Sequence, residues 1–506
     1  MSARRLRLAV CSTALALSLV IPAWAQLPVP VPRLPPAPAP LPAPLPAPLP
    51  APLPAPLPAP APAPAPAPLP VPLPVPAPAP APVPGPGPAP VPGPGPAPVP
   101  GVTPAPGAGA QQAPAPAPGI STEPAMPVPP ATPVLGPQEL LPGRPVRLTF
   151  TPTITVFEEY NDNVLLDNRR RVSDWITGFA PGFAFDWRGN THRLALAYDF
   201  VAETFSRRSS FGDAFSRQNA NVDAMYRPAQ QVTLTLTDNF ISSLDTIDIS
   251  PTGVATGRTR SSSNTLTPGV AWEINPLWTA RLSGTQTALR YEGRGLIDSD
   301  IYRLTPSIER RITESLTGVA AYEFGDFAVE QEPNVTTNTP RVGARYRFNP
   351  TLNGSVSVGP TFETSADGKD RTEVAITAWL RQAFQLGYIG LDYDRGVGTA
   401  GGLGGTTEND LILGRFGLTG LVRGLSADLT IAYGHIRSSI VRSSDRRIDL
   451  ETLSSGVRLV YQPKTWMSVY FGYLFYEQLP NTAVGARADQ NRVSFGMLFG
   501  YPLKRE

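Results

Sequence analysis

From about residue 147 onward, apolar and polar residues alternate with a period of two through one segment after another. Leu425, Ala427, Leu429, Ile431 and Tyr433 alternate with Ser426, Asp428, Thr430, Ala432 and Gly434. Val493, Phe495, Met497, Phe499 and Tyr501 alternate with Arg492, Ser494, Gly496 and Leu498. The same pattern runs through Val374, Ile376, Ala378 and Leu380, and through Tyr302, Leu304 and Ile308. Successive side chains of a strand point to opposite faces, so each segment predicts a strand with one apolar face. Eighteen strands are predicted, at 147–159, 174–187, 191–205, 217–227, 231–243, 262–273, 277–291, 300–311, 314–327, 338–348, 351–363, 371–382, 385–396, 409–421, 424–438, 448–461, 465–478 and 490–501. A single wrong split or merge moves the count by two, which gives sixteen.

The connections alternate as well. Short turns lie beside an aromatic residue, as at Trp187-Arg188-Gly189-Asn190, Tyr226-Arg227-Pro228 and Tyr461-Gln462-Pro463-Lys464. The intervening connections are longer and polar, among them Ile247–Ser262, Ala328–Asn338 and Val397–Asn409. Tight turns on one side, longer loops on the other and aromatic girdles at both interfaces are features of membrane-spanning β-barrels. The expected fold is therefore all-β: a transmembrane, antiparallel, up-and-down barrel. An even strand number places both ends of the barrel on the short-turn side.

Composition divides the chain into three parts. Residues 1–25 read as a secretory leader: Arg4, Arg5 and Arg7 precede an apolar run from Leu8 to Val20, and Ala23-Trp24-Ala25 supplies a cleavage site before Gln26. Residues 26–140 form a Pro/Ala-rich segment, with 48 of the 65 prolines at 27–140. Proline lacks an N–H and fixes φ, so this stretch forms neither helix nor ladder, and an extended, disordered polyproline II-like periplasmic linker is expected. It would serve either as a tether or as an arm reaching periplasmic partners. Residues 141–506 carry the barrel. Beyond the leader no apolar run is long enough for a transmembrane helix, so export combined with strand-rich sequence points to the cell outer membrane.

Charge and rare residues narrow the chemistry. The barrel part holds equal numbers of basic and acidic residues, which argues against nucleic acid as a partner. The one cysteine, Cys11, lies in the leader, so the mature chain has no thiol chemistry. His192 and His435 are the only histidines, too few for a His-rich metal centre, and read as pore-lining or interface residues. His435 and Ser438 fall on opposite strand faces. His192 and Asp199 are roughly 23 Å apart along one strand. Gly401–Gly405 lacks the strand–helix context of a phosphate loop and reads as a mobile outer loop. Asn161-Asp162-Asn163 with Asp167 lacks the acidic spacing of a calcium loop and reads as a solvated turn. No catalytic constellation, metal or cofactor is expected.

Residues opposite the lipid face include Arg193, Asp199, Arg281, Arg303, Glu309, Glu323, Arg345, Glu373, Arg381, Arg415, Asp428, Arg458 and Arg492. An arginine facing mid-bilayer costs roughly 2–4 kcal/mol, so these are expected to line the lumen. They either form an ion-pair network that fills the interior or line a wet channel of mixed charge. In the final strand, Gly496, Phe499 and Tyr501 resemble the C-terminal signature read by the barrel-assembly machinery. The usual signature ends on the aromatic, whereas here Pro502-Leu503-Lys504-Arg505-Glu506 follows.

The run Glu158-Glu159-Tyr160-Asn161-Asp162-Asn163, followed by Asp174–Phe183 and Leu194–Asp199, resembles the β-barrel porins of Gram-negative bacteria associated with exopolysaccharide export. The resemblance covers about residues 147–501 and excludes the Pro-rich segment. It implies no catalytic residues and a role in passage of polysaccharide or small solutes. The expected partners are outer-membrane lipid and the assembly machinery, with polysaccharide, periplasmic export components or peptidoglycan met through the Pro-rich arm. Two classes of function stay open. One is a channel for polysaccharide or for general diffusion of small solutes. The other is a plugged structural barrel that anchors the arm to the envelope.

Overall fold

A computed structural model describes residues 147–249, 254–419, 422–439 and 447–505. The expected leader, with the Ala25–Gln26 cleavage site read from its sequence, and the Pro-rich segment lie outside the described residues. The strands are β1 (Arg147–Asn161), β2 (Asp174–Arg188), β3 (His192–Phe205), β4 (Asp213–Ala229), β5 (Val232–Asp245), β6 (Arg258–Asn275), β7 (Trp278–Tyr291), β8 (Ser299–Arg311) and β9 (Leu316–Val329). They continue with β10 (Val335–Arg347), β11 (Leu352–Ser365), β12 (Asp370–Phe384), β13 (Gly387–Thr399), β14 (Thr406–Thr419), β15 (Leu425–Ser438), β16 (Asp449–Lys464), β17 (Met467–Pro480), β18 (Ala488–Gly500) and a short β19 (Leu503–Arg505).

Each of the first eighteen strands pairs antiparallel with its sequence neighbours, and β1 also pairs with β18, so the sheet closes on itself. Closure satisfies both edges of every strand, the condition a sheet must meet to sit in hydrocarbon. Thr153 to Asn161 lie opposite Gly500 to Arg492. Short β19 continues the same register beyond Pro502, setting Leu503 opposite Phe150. Pro502 therefore interrupts the last strand without ending its pairing.

The two faces follow the period of two. On β15, Ile431 is 48% exposed on the outer surface, while Ile436 faces in and is buried. Exposed Val156, Val270, Leu304, Val342, Val374 and Phe495 extend the apolar outer band around the wall. Trp187, Tyr226, Trp272, Tyr346, Tyr461 and Trp466 ring the short-turn end, and Trp175 and Phe215 stand near the other rim. An apolar outer band bounded by aromatics on a closed wall is the surface a lipid-spanning barrel requires.

The strands on the long-loop side run further than the hydrophobic pattern indicates. β4 begins at Asp213, β6 at Arg258 and β10 at Val335, and much of Val397–Asn409 belongs to β13 and β14. Near the rim both faces carry Ser, Thr, Asn and charged residues, so the alternation disappears while the hydrogen-bond ladder continues.

The register sets a direct test. Leu429 shares the outer face with Ile431, and Thr430 shares the inner face with Asp428 and lies opposite Gly456. Leu429→Arg is expected to lower the stability of the folded barrel by roughly 2–4 kcal/mol. Thr430→Arg is expected to leave it within about 1 kcal/mol, because its side chain meets water or polar wall. Urea titration of the heat-modifiable band in lipid measures both.

Candidate functional site

The inner wall carries the charges. On β7 to β10, Glu309 accepts from Arg281 at 3.1 Å and from Arg345 at 3.5 Å, and Glu323 pairs with Arg303 at 3.6 Å and Arg341 at 3.5 Å. The Arg303 guanidinium also lies 5.2 Å from the centre of the Phe327 ring. Arg381 pairs with Asp392 at 2.5 Å. Asp428 stands opposite Arg458, whose guanidinium lies over Tyr470. Asp199 accepts from Asn219, and Arg193 stands 4.0 Å from Asp223. Arg415 is held opposite Gly390 and Thr430 on the same inner face.

A second group reaches across the barrel. Arg492 on β18 is only 2% exposed and its Nη2 lies 2.8 Å from Asp245 and 3.8 Å from Asp248. Arg217 donates to Asp248 at 2.6 Å, and Arg258 pairs with Asp245 at 3.3 Å and Glu203 at 3.5 Å. Arg492, Arg217, Arg258, Asp245 and Glu203, with Glu159, Tyr470 and Ser494, line a cavity of about 20 Å³, space for roughly one water. The closing strand is thereby tied to the end of β5, several strands away around the wall. Sequence spacing does not reveal this strut, because Asp248 lies beyond β5.

The β13–β14 hairpin narrows the lumen. β13 pairs with β12 only from Gly387 to Arg395, but with β14 along its whole length. Beyond Arg395, β13 parts from β12 and turns inward, while β14 stays paired with β15 through Thr407. Val397 then packs against Ile301, Phe327 and Val335, and its carbonyl accepts from Arg303 at 2.9 Å. Charges pin the turned hairpin. Arg395 pairs with Glu408 and with Asp410, Arg437 reaches both acids, and Arg371 joins Glu373 to Glu408. Gly401 and Gly402 at the tip are buried, and the Ile297 N–H donates to the Gly402 carbonyl at 3.0 Å. The glycine-rich tip is therefore an inner element of the barrel, not an outer loop. Gly404 (φ 79°) and Gly405 (φ 75°) supply the left-handed backbone that turns it.

A second inward segment meets the tip at the mouth. Val254 packs with Ala400, Ile436, Ile448 and Leu450, and Leu403 and Val484 border the cluster. Next to it, Ala255 is clamped by Gln478 on β17: its N–H donates to Oε1 at 2.9 Å and its carbonyl accepts from Nε2 at 3.1 Å.

The remaining sequence candidates fall elsewhere. His435 is on the outer face and bonds Asp449 at 3.1 Å. His192 lies against Trp187 at the short-turn end. The Asn161–Asn163 turn is not solvated, since Asn161 and Asn163 are both buried. In the loop that follows, the Arg169 backbone N–H and the Arg170 side chain hold the Asp167 carboxyl below the usual carboxylate range. On the last strand, Gly496 faces inward beneath the Tyr470 ring, which a Cβ would strike, while Phe499 stacks on Trp466 and Tyr501 is exposed on the outer face.

No family model and no curated protein matches the chain. Among solved structures it is similar to OccAB4 of Acinetobacter baumannii and OpdL of Pseudomonas aeruginosa. OccAB4 is 12% identical over 71% of this chain and 99% of its own, with a TM-score of 0.39. OpdL is 13% identical over 71% of this chain and 99% of its own, with a TM-score of 0.38.

Gln478→Leu keeps the side-chain volume but strips the Ala255 and Ala486 carbonyls of their Nε2 donor and leaves the Ala255 N–H only the Tyr476 hydroxyl, at 3.2 Å. Buried backbone groups left unpaired cost roughly 1–3 kcal/mol, so the urea midpoint of the folded band is expected to fall. Gln462→Leu, in an exposed turn at the other end, is the control and is expected to leave the midpoint unchanged.

Proposed function

We propose that the protein is an outer-membrane channel for small polar solutes, with the β13–β14 hairpin setting the width of its passage. The observation that carries this reading is the inward turn of that hairpin inside a closed wall of eighteen strands. A barrel of this size without an insertion holds a wide aqueous passage. Charged inner residues of both signs, compensated in pairs, suit water-filled transit with modest charge preference. The inserted hairpin favours small solutes over an extended polysaccharide as cargo, since a glycan strand needs an unbroken bore. In this reading Gly496, Phe499 and Tyr501 present the last strand to the assembly machinery, and the Pro-rich segment extends into the periplasm.

One observation favours a second reading. The apolar cluster around Val254, Ala400 and Leu450 closes part of the mouth, as expected of a plugged barrel that anchors the Pro-rich segment. Planar-bilayer recording of the full chain separates the two. A channel is expected to give stable steps with weak ion selectivity, and replacing Gly401–Gly405 by a two-residue turn is expected to raise conductance several-fold. A barrel that inserts yet stays silent, with the hairpin whole or shortened, is a plugged anchor. Uptake of labelled oligosaccharides of increasing length into liposomes tests the cargo, with exclusion expected beyond a few sugar units.

A further inference from the structure

Every neighbouring pair of barrel strands but one is joined by a turn or loop, which helps to fix its register. The exception is the closing pair, β1 and β18, whose registered contact spans Thr153–Asn161 and Arg492–Gly500. Moving this pair by two residues would preserve which side chains face lipid, so hydrophobicity does not choose between the registers. Something local must choose.

The outer end of the seam carries such a device. The Asp162 N–H donates to the Asn491 carbonyl at 3.1 Å, while Asn491 returns its backbone N–H and its Nδ2 to the two Asp162 carboxylate oxygens, both at 2.8 Å. Buried Asn163 donates from Nδ2 to the Asp489 carbonyl at 2.8 Å, and its own carbonyl accepts from Gln490 Nε2 at 2.8 Å. Asn168 accepts from the Asp489 N–H at 3.0 Å and donates to that residue's carboxylate. Arg171 spans the seam, with one nitrogen 2.6 Å from Asp162 and another 2.5 Å from Asp489. These groups form a residue-specific match: shifting β18 by two residues would set Val493 or Asp489 against Asp162, and neither offers the Asn491 pairing.

We propose that the Asn161-Asp162-Asn163 turn, with Asn168 and Arg171, is a register clasp that selects and holds the position at which the first and last strands close. It gives a buried polar turn at this rim position, where the described residues form no metal-ligating cluster, a structural task. The Arg492 strut then holds the same strand from inside. This proposal concerns barrel closure and does not depend on what passes through the lumen.

The test exploits the absence of cysteine beyond Cys11. Thr155 and Leu498 are directly opposed across the seam, and a slip of two sets Thr155 against Gly500. Full-length chains carrying Thr155→Cys with Leu498→Cys, or Thr155→Cys with Gly500→Cys, are expressed and oxidised in membranes. With the clasp intact, the first pair is expected to cross-link at least tenfold more than the second. In the Asp162→Ala/Asn163→Ala background that preference is expected to fall to about threefold or less. Asp213→Ala, which removes the Arg260 ion pair at another rim loop, is expected to keep the original preference. If the double variant does not insert, the same comparison is made with Asn491→Ala, whose backbone bonds survive. An unchanged preference in the clasp variant that inserts overturns the proposal. So does an equal loss in Asp213→Ala.

Discussion

Hydrocarbon offers no partner for a peptide N–H or carbonyl, and the architecture follows from that single constraint. Because every wall strand must find two neighbours, the sheet returns to its start, and the chain has to solve one pairing that no turn prescribes. The β1–β18 seam is where this demand is concentrated. Around it lie the Asn/Asp turn outside, Arg492 reaching to Asp245 inside, and β19 resuming the register after Pro502. Pro502 is tolerated because it falls in the gap between β18 and β19, where no ladder bond calls for its missing N–H.

Once the wall is closed, its inner face is free to carry what lipid forbids. Arginines and carboxylates placed there compensate one another across neighbouring strands, as at Glu309 between Arg281 and Arg345. Such pairing limits the field in the lumen while keeping the wall polar. The β13–β14 hairpin adds an element that the wall itself does not need. Its outer half exchanges ladder bonds to β12 for ion pairs to Glu373 and contacts with Phe327, so its position is set by side-chain chemistry as well as by backbone pairing.

Much of the wall was legible in the sequence because period two is a strong signal when one face meets lipid. Strand number, order and facing follow from runs such as Leu425–Tyr433 and Val493–Tyr501, and the register places the predicted charged residues on the inner face. The rim was less legible. At Arg258–Ser263 or Thr406–Asn409 both faces are polar, so pairing continues with no alternation to mark it. The inward hairpin was hidden for another reason: Gly401–Gly405 has the composition of an exposed loop, and only contacts with distant Ile297 and Val254 decide where it goes. The Asn161–Asn163 turn was noticed as a motif, but its partners at 489–491 lie over three hundred residues away. Local spacing carries no trace of them.

Where β13 parts from β12 beyond Arg395, β14 stays paired with β15 through Thr407, and Arg371 of β12 reaches over to the Ser438 carbonyl at 3.4 Å. The ladder is therefore continuous around the lower girth and opens at one seam, between β12 and β13, near this rim. Backbone groups along an opened seam must find side chains or water in place of ladder partners. The wall thus carries a short notch at its mouth, where two strand edges end in side-chain chemistry, from nothing more than the route taken by one strand.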